Sequence, residues 1–105
     1  MRQITQEEFD ALPVVYDRKQ CPAYTDYSLI TVIPDNCVFG GGCRFGEASS
    51  FGNACSFGRE CSFGRGCSFG GWCRFGEKCI LGGSCSIGGW CRFEKGCILV
   101  RARLC

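Results

Sequence analysis

Among the side chains able to do chemistry, cysteine dominates: the 105-residue chain has 12, and ten of them stand in one phase of a six-residue spacing. These are Cys37, Cys43, Cys55, Cys61, Cys67, Cys73, Cys79, Cys85, Cys91 and Cys97. Thiols at this density can ligate a soft metal, join as disulfides or serve as nucleophiles. Metal sites gather ligands through short spacings such as CxxC, whereas a uniform spacing explains each Cys by a position in the fold, so no metal and no cofactor is assigned. The opening Met1-Arg-Gln-Ile-Thr-Gln-Glu-Glu is not an export signal. Free, buried thiols acting as small hydrophobes in a reducing cytoplasm are the favoured reading, with partial oxidation as the alternative. Cys21 and Cys105 fall outside the phase; either can cover an end of the body, and a link between them is a further alternative.

The chain has no His. That removes a Ser-His-Asp triad, a Cys-His pair and His-ligated zinc or haem. Glu47, Glu60 and Glu77 do not converge on one corner under the period derived below, so no catalytic residue is assigned. The binding candidates are Trp72 and Trp90, each followed two positions later by Arg74 or Arg92. Exposed indoles beside guanidinium groups have the composition of a binding hot spot. The structural alternative is that each Trp covers a bare Gly corner or packs on the N-terminal segment. A small anionic or nucleotide ligand, stacked on indole and paired with guanidinium, is a third reading. With a formal charge of +2, and with Arg59, Arg65, Arg74, Lys78 and Arg92 interleaved among acidic or neutral residues, nucleic acid is disfavoured. No apolar run approaches the roughly 18 residues of a membrane span.

The elements that position these residues follow from the spacing. From residue 37 the chain breaks into eleven uninterrupted sixes: CVFGGG, CRFGEA, SSFGNA, CSFGRE, CSFGRG, CSFGGW, CRFGEK, CILGGS, CSIGGW, CRFEKG and CILVRA. Ser49 is the one first-position exception to Cys. The third position is always large and apolar: Phe39, Phe45, Phe51, Phe57, Phe63, Phe69, Phe75, Leu81, Ile87, Phe93 and Leu99. Six does not fit the 3.6-residue helical period, and the regular glycines would each cost a helix about 1 kcal/mol. Positions one and three instead point to one side of a short strand, with the Gly after the Phe permitting the bend to the next. Strand and bend in alternation make a solenoid whose rungs bury their core only by stacking.

Phe-Gly-x-x-Cys-x resembles the hexapeptide repeat of left-handed parallel β-helices, over about residues 37 to 102. It departs from that pattern by using Phe for the usual aliphatic residue and Cys for the usual small one. The resemblance implies 18 residues per triangular coil, and the sequence supports this: Gly70-Gly-Trp-Cys-Arg-Phe75 recurs as Gly88-Gly-Trp-Cys-Arg-Phe93. Nearly four coils then form ladders Phe39/Phe57/Phe75/Phe93, Phe45/Phe63/Leu81/Leu99 and Phe51/Phe69/Ile87. Adjacent-rung cysteines such as Cys37 and Cys55 would lie about 4.8 Å apart at Cα. The outward lines are Ser50/Ser68/Ser86, Ser56/Arg74/Arg92 and Arg44/Ser62/Ile80/Ile98. Many members of the resembled superfamily are trimeric acyltransferases or metal-dependent carbonic anhydrases that rely on His and on an excursion loop, and this chain has neither.

Residues 1–36 differ in kind, holding all three prolines and no glycine, with three basic and six acidic side chains. Thr5 and Glu8 form a capping box flanked by Ile4 and Phe9, predicting a helix from Gln6 to Leu12 that Pro13 ends. Strands are expected near 14–16 and 24–33, the whole 1–36 segment capping the 37–105 β-helix. The expected protein is an all-β solenoid with a small N-terminal α/β cap, non-catalytic and cytoplasmic, binding a protein partner through its outer face and self-associating as a dimer or trimer. Its size suits an accessory or inhibitory protein of a phage or mobile element; a degenerate acyltransferase-like protein is the other alternative.

Overall fold

An inward Cys, an outward residue and an inward Phe over three positions make a minimal strand, and each hexad forms one. In the computed structural model, which describes residues 1–101 together with the backbone of 103 and 104, the chain is a left-handed parallel β-helix of about four 18-residue coils with a small helical cap at its N-terminal end. Cys105, and with it any link to Cys21, lies outside the described residues. The chain opens with β1 (Arg2–Gln3), α1 (Gln6–Asp10), β2 (Val14–Val15), β3 (Arg18–Cys21), β4 (Thr25–Asp26) and β5 (Val32–Ile33). The hexads then give β6 (Cys37–Phe39), β7 (Arg44–Phe45), β8 (Ser50–Phe51), β9 (Ser56–Phe57), β10 (Ser62–Phe63) and β11 (Ser68–Phe69). They continue through β12 (Arg74–Phe75), β13 (Ile80–Leu81), β14 (Ser86–Ile87), β15 (Arg92–Phe93) and β16 (Ile98–Leu99), before β17 (Arg103–Leu104).

Every third strand pairs in parallel, so three sheets form the faces of a prism: β1-β4-β7-β10-β13-β16, β5-β8-β11-β14-β17 and β3-β6-β9-β12-β15, the last extended by β2, which pairs antiparallel with β3. The register is the 18-residue one, with Phe39 opposite Phe57, Phe45 opposite Phe63 and Phe51 opposite Phe69. All three outward lines form as expected, including Ser56–Arg74–Arg92. The last rung slips by one residue, pairing Ile87 with Leu104.

The composition break at residue 36 is not a break in the ladder. Lys19, Gln20 and Cys21 pair with Cys37, Val38 and Phe39, while Val32 and Ile33 pair with Ser50 and Phe51. Residues 19–36 therefore continue the three faces by one further rung without the Cys-Gly signature. Its inward third positions are Cys21, Tyr27 and Ile33, all buried. The strand expected over 24–33 is two short strands around the turn between them, because a prism face holds only a few residues.

In the core, rings stack along each face and meet edge to face between faces. Phe45 and Phe63 lie 4.8 Å apart at 4°, and Phe57 meets Phe63 at 4.9 Å and 90°. Both geometries suit the ring quadrupole, which is how a Phe interior fills the prism without face-to-face clashes between columns. α1 closes the top. It is shorter than expected, because Ala11 N–H bonds Glu7 O and Leu12 N–H bonds Phe9 O, tightening the last turn before Pro13. Its capping box is in place, and Phe9 sits edge-on to Tyr27. Lys19, at an inward first position, donates to the Phe9 and Asp10 carbonyls at 3.0 and 3.3 Å, capping the helix C-terminus.

The bend is built differently from the sequence expectation. The residue with positive φ is the sixth of each of the ten hexads over residues 37–96, including Ala54 at 58°, Trp72 at 65° and Trp90 at 65°. The fourth-position Gly is demanded by close approach instead: a Cβ on Gly76 would lie 2.6 Å from the carbonyl carbon of Gly58.

Candidate functional site

Trp72 and Trp90 occupy successive sixth positions on one edge of the prism, held there by the left-handed corner conformation. Trp72 N–H bonds Gly89 O at 2.9 Å, fixing the corner to the coil below. The two indoles stack with centroids 5.4 Å apart and planes within 10°, yet they remain 63% and 77% exposed. They do not bury themselves on the N-terminal segment. Two rigid aromatic faces are thus presented to solvent in fixed orientation. Arg74 and Arg92 stand side by side on the adjoining face, where β12 pairs with β15. The structure brings all four sequence-selected binding residues to one edge and its neighbouring face.

The same edge carries a feature that the hexad reading missed. Above Trp72 the corner residue is only Ala54, and a notch of about 280 Å³ opens there, lined by Arg18, Ala54, Ser56, Trp72 and Arg74. Carrying the 18-residue period back beyond residue 37 puts Arg18 in the column of Ala54 and Trp72, which is the signal that would have found it. Among the described residues, neither Arg18 nor Arg74 forms an ion pair with a carboxylate. A second, apolar cleft of about 420 Å³ opens between the segment that follows α1 and the first rungs, against Leu12, Pro13, Cys21 and Phe39.

The carboxylates depart from expectation in one respect. Glu60 and Glu77 do come to a common edge, because Glu77 lies one coil below Arg59. Arg59 bridges them at 4.0 and 3.7 Å, with Arg59 and Glu60 well exposed and Glu77 partly so, and the group is a solvated ion-pair cluster rather than an acid-base pair.

The thiols face inward and are satisfied. Cys61, Cys67, Cys73, Cys79, Cys85, Cys91 and Cys97 each donate to the carbonyl of the fourth-position Gly 21 residues earlier, at 3.2 to 3.5 Å. Cys43 and Cys55 make the same contact to Pro22 and Pro34. Burial pushes the Cys67 thiol up to about 11, and its contact with Cys37 pushes Cys55 to about 11. Cys55 and Cys67 are therefore neutral packing groups rather than nucleophiles, whereas hydrogen bonding with the Cys61 thiol holds Cys43 and Cys79 below the ordinary thiol range. The eleven described cysteines are free thiols. Among the described residues no cluster of His, Cys, Asp or Glu could hold a metal ion, and no helix is long and apolar enough to cross a membrane. Comparison with protein-family models, curated proteins and solved structures gave no match for this chain.

Proposed function

We propose that this protein is a non-catalytic binding protein that engages a protein partner through the Trp72/Trp90 edge and the adjoining Arg74/Arg92 face. The observation that carries the reading is the stacked, solvent-exposed indole pair. Each ring rigidifies the other, so little side-chain entropy remains to be lost on docking, and Trp and Arg are the residues that most often dominate binding energy. The Ser50/Ser68/Ser86 line leaves a neighbouring face low and flat, which favours approach of a second copy as a dimer or trimer. With its cysteines reduced, the protein belongs in the cytoplasm. At 11.5 kDa, with nearly all of its interior committed to stacking, it suits an accessory or inhibitory role in a phage or mobile element better than a catalytic one.

The test combines light scattering with pull-down from a host lysate, comparing the wild type with Trp72→Ala/Trp90→Ala. Capture of a defined protein by the wild type, lost in the double variant at unchanged mass, is the expected result. A fall from oligomer to monomer makes the edge a self-interface, and no change in either measurement overturns the reading.

A further inference from the structure

We infer that the notch above Ala54 is a binding subsite for a planar aromatic ring carrying an anionic group. Three observations converge on that chemistry. Trp72 has one face against Trp90, and its other face lines the notch, so the indole stack ends at an open position where the column supplies only a methyl group. A flat ring entering there continues the stack as its next member. Arg18, two coils above Ala54 in the same column with Asn36 between them, lines this position from above and Arg74 stands on the adjoining face; neither forms an ion pair among the described residues, and Ser56 adds a hydroxyl. Two guanidiniums and a hydroxyl with no carboxylate in the lining select an anion, and guanidinium geometry suits carboxylate or phosphate oxygens. The volume, about 280 Å³, lies just below the usual range for drug-sized ligands. It takes one ring with its anion and not an extended cofactor.

This inference rests on the edge being a recognition surface and names the chemistry that the surface reads. The ring and anion have two sources, a free small molecule or a partner's aromatic side chain beside an acidic one.

Binding is read from the indole N–H signals of Trp72 and Trp90 in the labelled protein, assigned with single Trp→Phe variants. The probes are adenosine monophosphate for the free source and a short amidated peptide with Phe between two Glu residues for the partner-borne source. Adenosine and inorganic phosphate serve as ring-only and anion-only controls. A saturable shift of the Trp72 signal by either probe is expected, with each control at least tenfold weaker. Arg18→Ala and Arg74→Ala should each weaken binding about tenfold, the loss of one charge-assisted contact. Ala54→Trp should abolish it, because Trp already occupies this backbone conformation at 72 and 90 and a third indole would fill the notch. Response to adenosine monophosphate alone identifies a small-molecule subsite, and response to the peptide alone a partner-borne one. Failure of both probes, equal binding of adenosine and its monophosphate, or binding that survives Ala54→Trp overturns the inference. Partner capture that persists in Ala54→Trp but is lost in Trp72→Ala/Trp90→Ala removes the notch from partner recognition and leaves the protein-binding edge standing.

Discussion

The thiol of Cys79 donates to the carbonyl oxygen of Gly58 at 3.3 Å, linking an interior first position to the corner of the coil above. Cys79 is fully buried, and the contact recurs down the prism. It explains why cysteine fits where a small residue is required: sulfur fills the space of a small hydrophobe, and its weak S–H donor meets a turn carbonyl. Ser49 shows that a hydroxyl fits the same position, buried at 0% exposure, although it donates to Gly46 O three residues back, at 3.2 Å, and not to the coil above. Replacing Cys79 by Ser should therefore cost less than replacing it by Ala, which loses both the packing atom and the donor. The expected loss for Cys79→Ala is about 1–3 kcal/mol by urea unfolding. Equal destabilisation by the two substitutions would mean that the carbonyl contact contributes nothing.

Phe57 and Phe93 differ in how many rings surround them. Phe57 stacks between Phe39 at 5.2 Å and Phe75 at 5.0 Å and meets further rings edge-on, whereas Phe93 stacks on Phe75 at 4.4 Å and is only half-buried. Phe57→Ala should cost about 3–5 kcal/mol, a large fraction of the whole stability of a domain this size. Phe93→Ala should cost less than half as much, and Phe57→Leu should lie between them. Denaturant midpoints for the three variants order the core. A Phe93 effect as large as that of Phe57 would place the last rung deeper in the cooperative unit than its burial indicates.

Glycine acts by two separable mechanisms. At Gly76 an added Cβ would press on the backbone of Gly58, which no side-chain rearrangement can relieve. At Gly66 an added Cβ meets nothing within 4 Å, and φ is +69°. Ala48 and Ala54 already hold the corresponding corner conformation at 57° and 58°. Gly66→Ala should thus cost only the left-handed strain, about 1 kcal/mol, while Gly76→Ala should exceed it by at least about 2 kcal/mol. The reverse order would make the bend, not close approach, the reason for the repeat's glycine.

Much of this architecture is legible in the hexads because solenoid contacts are local in the repeat index: position one meets position one a coil away, and the core follows from phase alone. The phase also carries Trp72, Trp90, Arg74 and Arg92 to one edge. What composition concealed is the rung over residues 19–36, where Thr25 and Lys19 take first positions, Tyr27 and Ile33 take third positions, and no Gly marks the corner. Extending the period through that rung puts Asn36 and then Arg18 in the Trp column, so missing it also hid the notch. The role of the fourth-position Gly was not legible either. The same spacing is compatible with a positive φ at that residue or with backbone crowding, and only the packing of one coil on the next distinguishes them.

The buried thiols give stability an alkaline limit. Cys67 and Cys55 are each held near 11 in the folded chain, above the ordinary 9.0, so their neutral form is the one the fold stabilises. Below about pH 9 both folded and unfolded chains carry these thiols protonated, and this contribution is complete. Between about pH 9 and 11 the unfolded chain releases protons that the folded chain retains, so stability falls as pH rises. From these two thiols the melting temperature should drop across that window, while Cys43 and Cys79, which Cys61 holds low, contribute stability that is lost as pH falls instead. Under non-reducing conditions thiol reagent should modify Cys91 and Cys97, both only half-buried, before the other described cysteines, and reach all 12 cysteines after denaturation. A melting temperature that stays level through pH 10, together with fewer reactive thiols in the denatured protein, would show that rungs are joined by disulfides instead of stacked as free thiols.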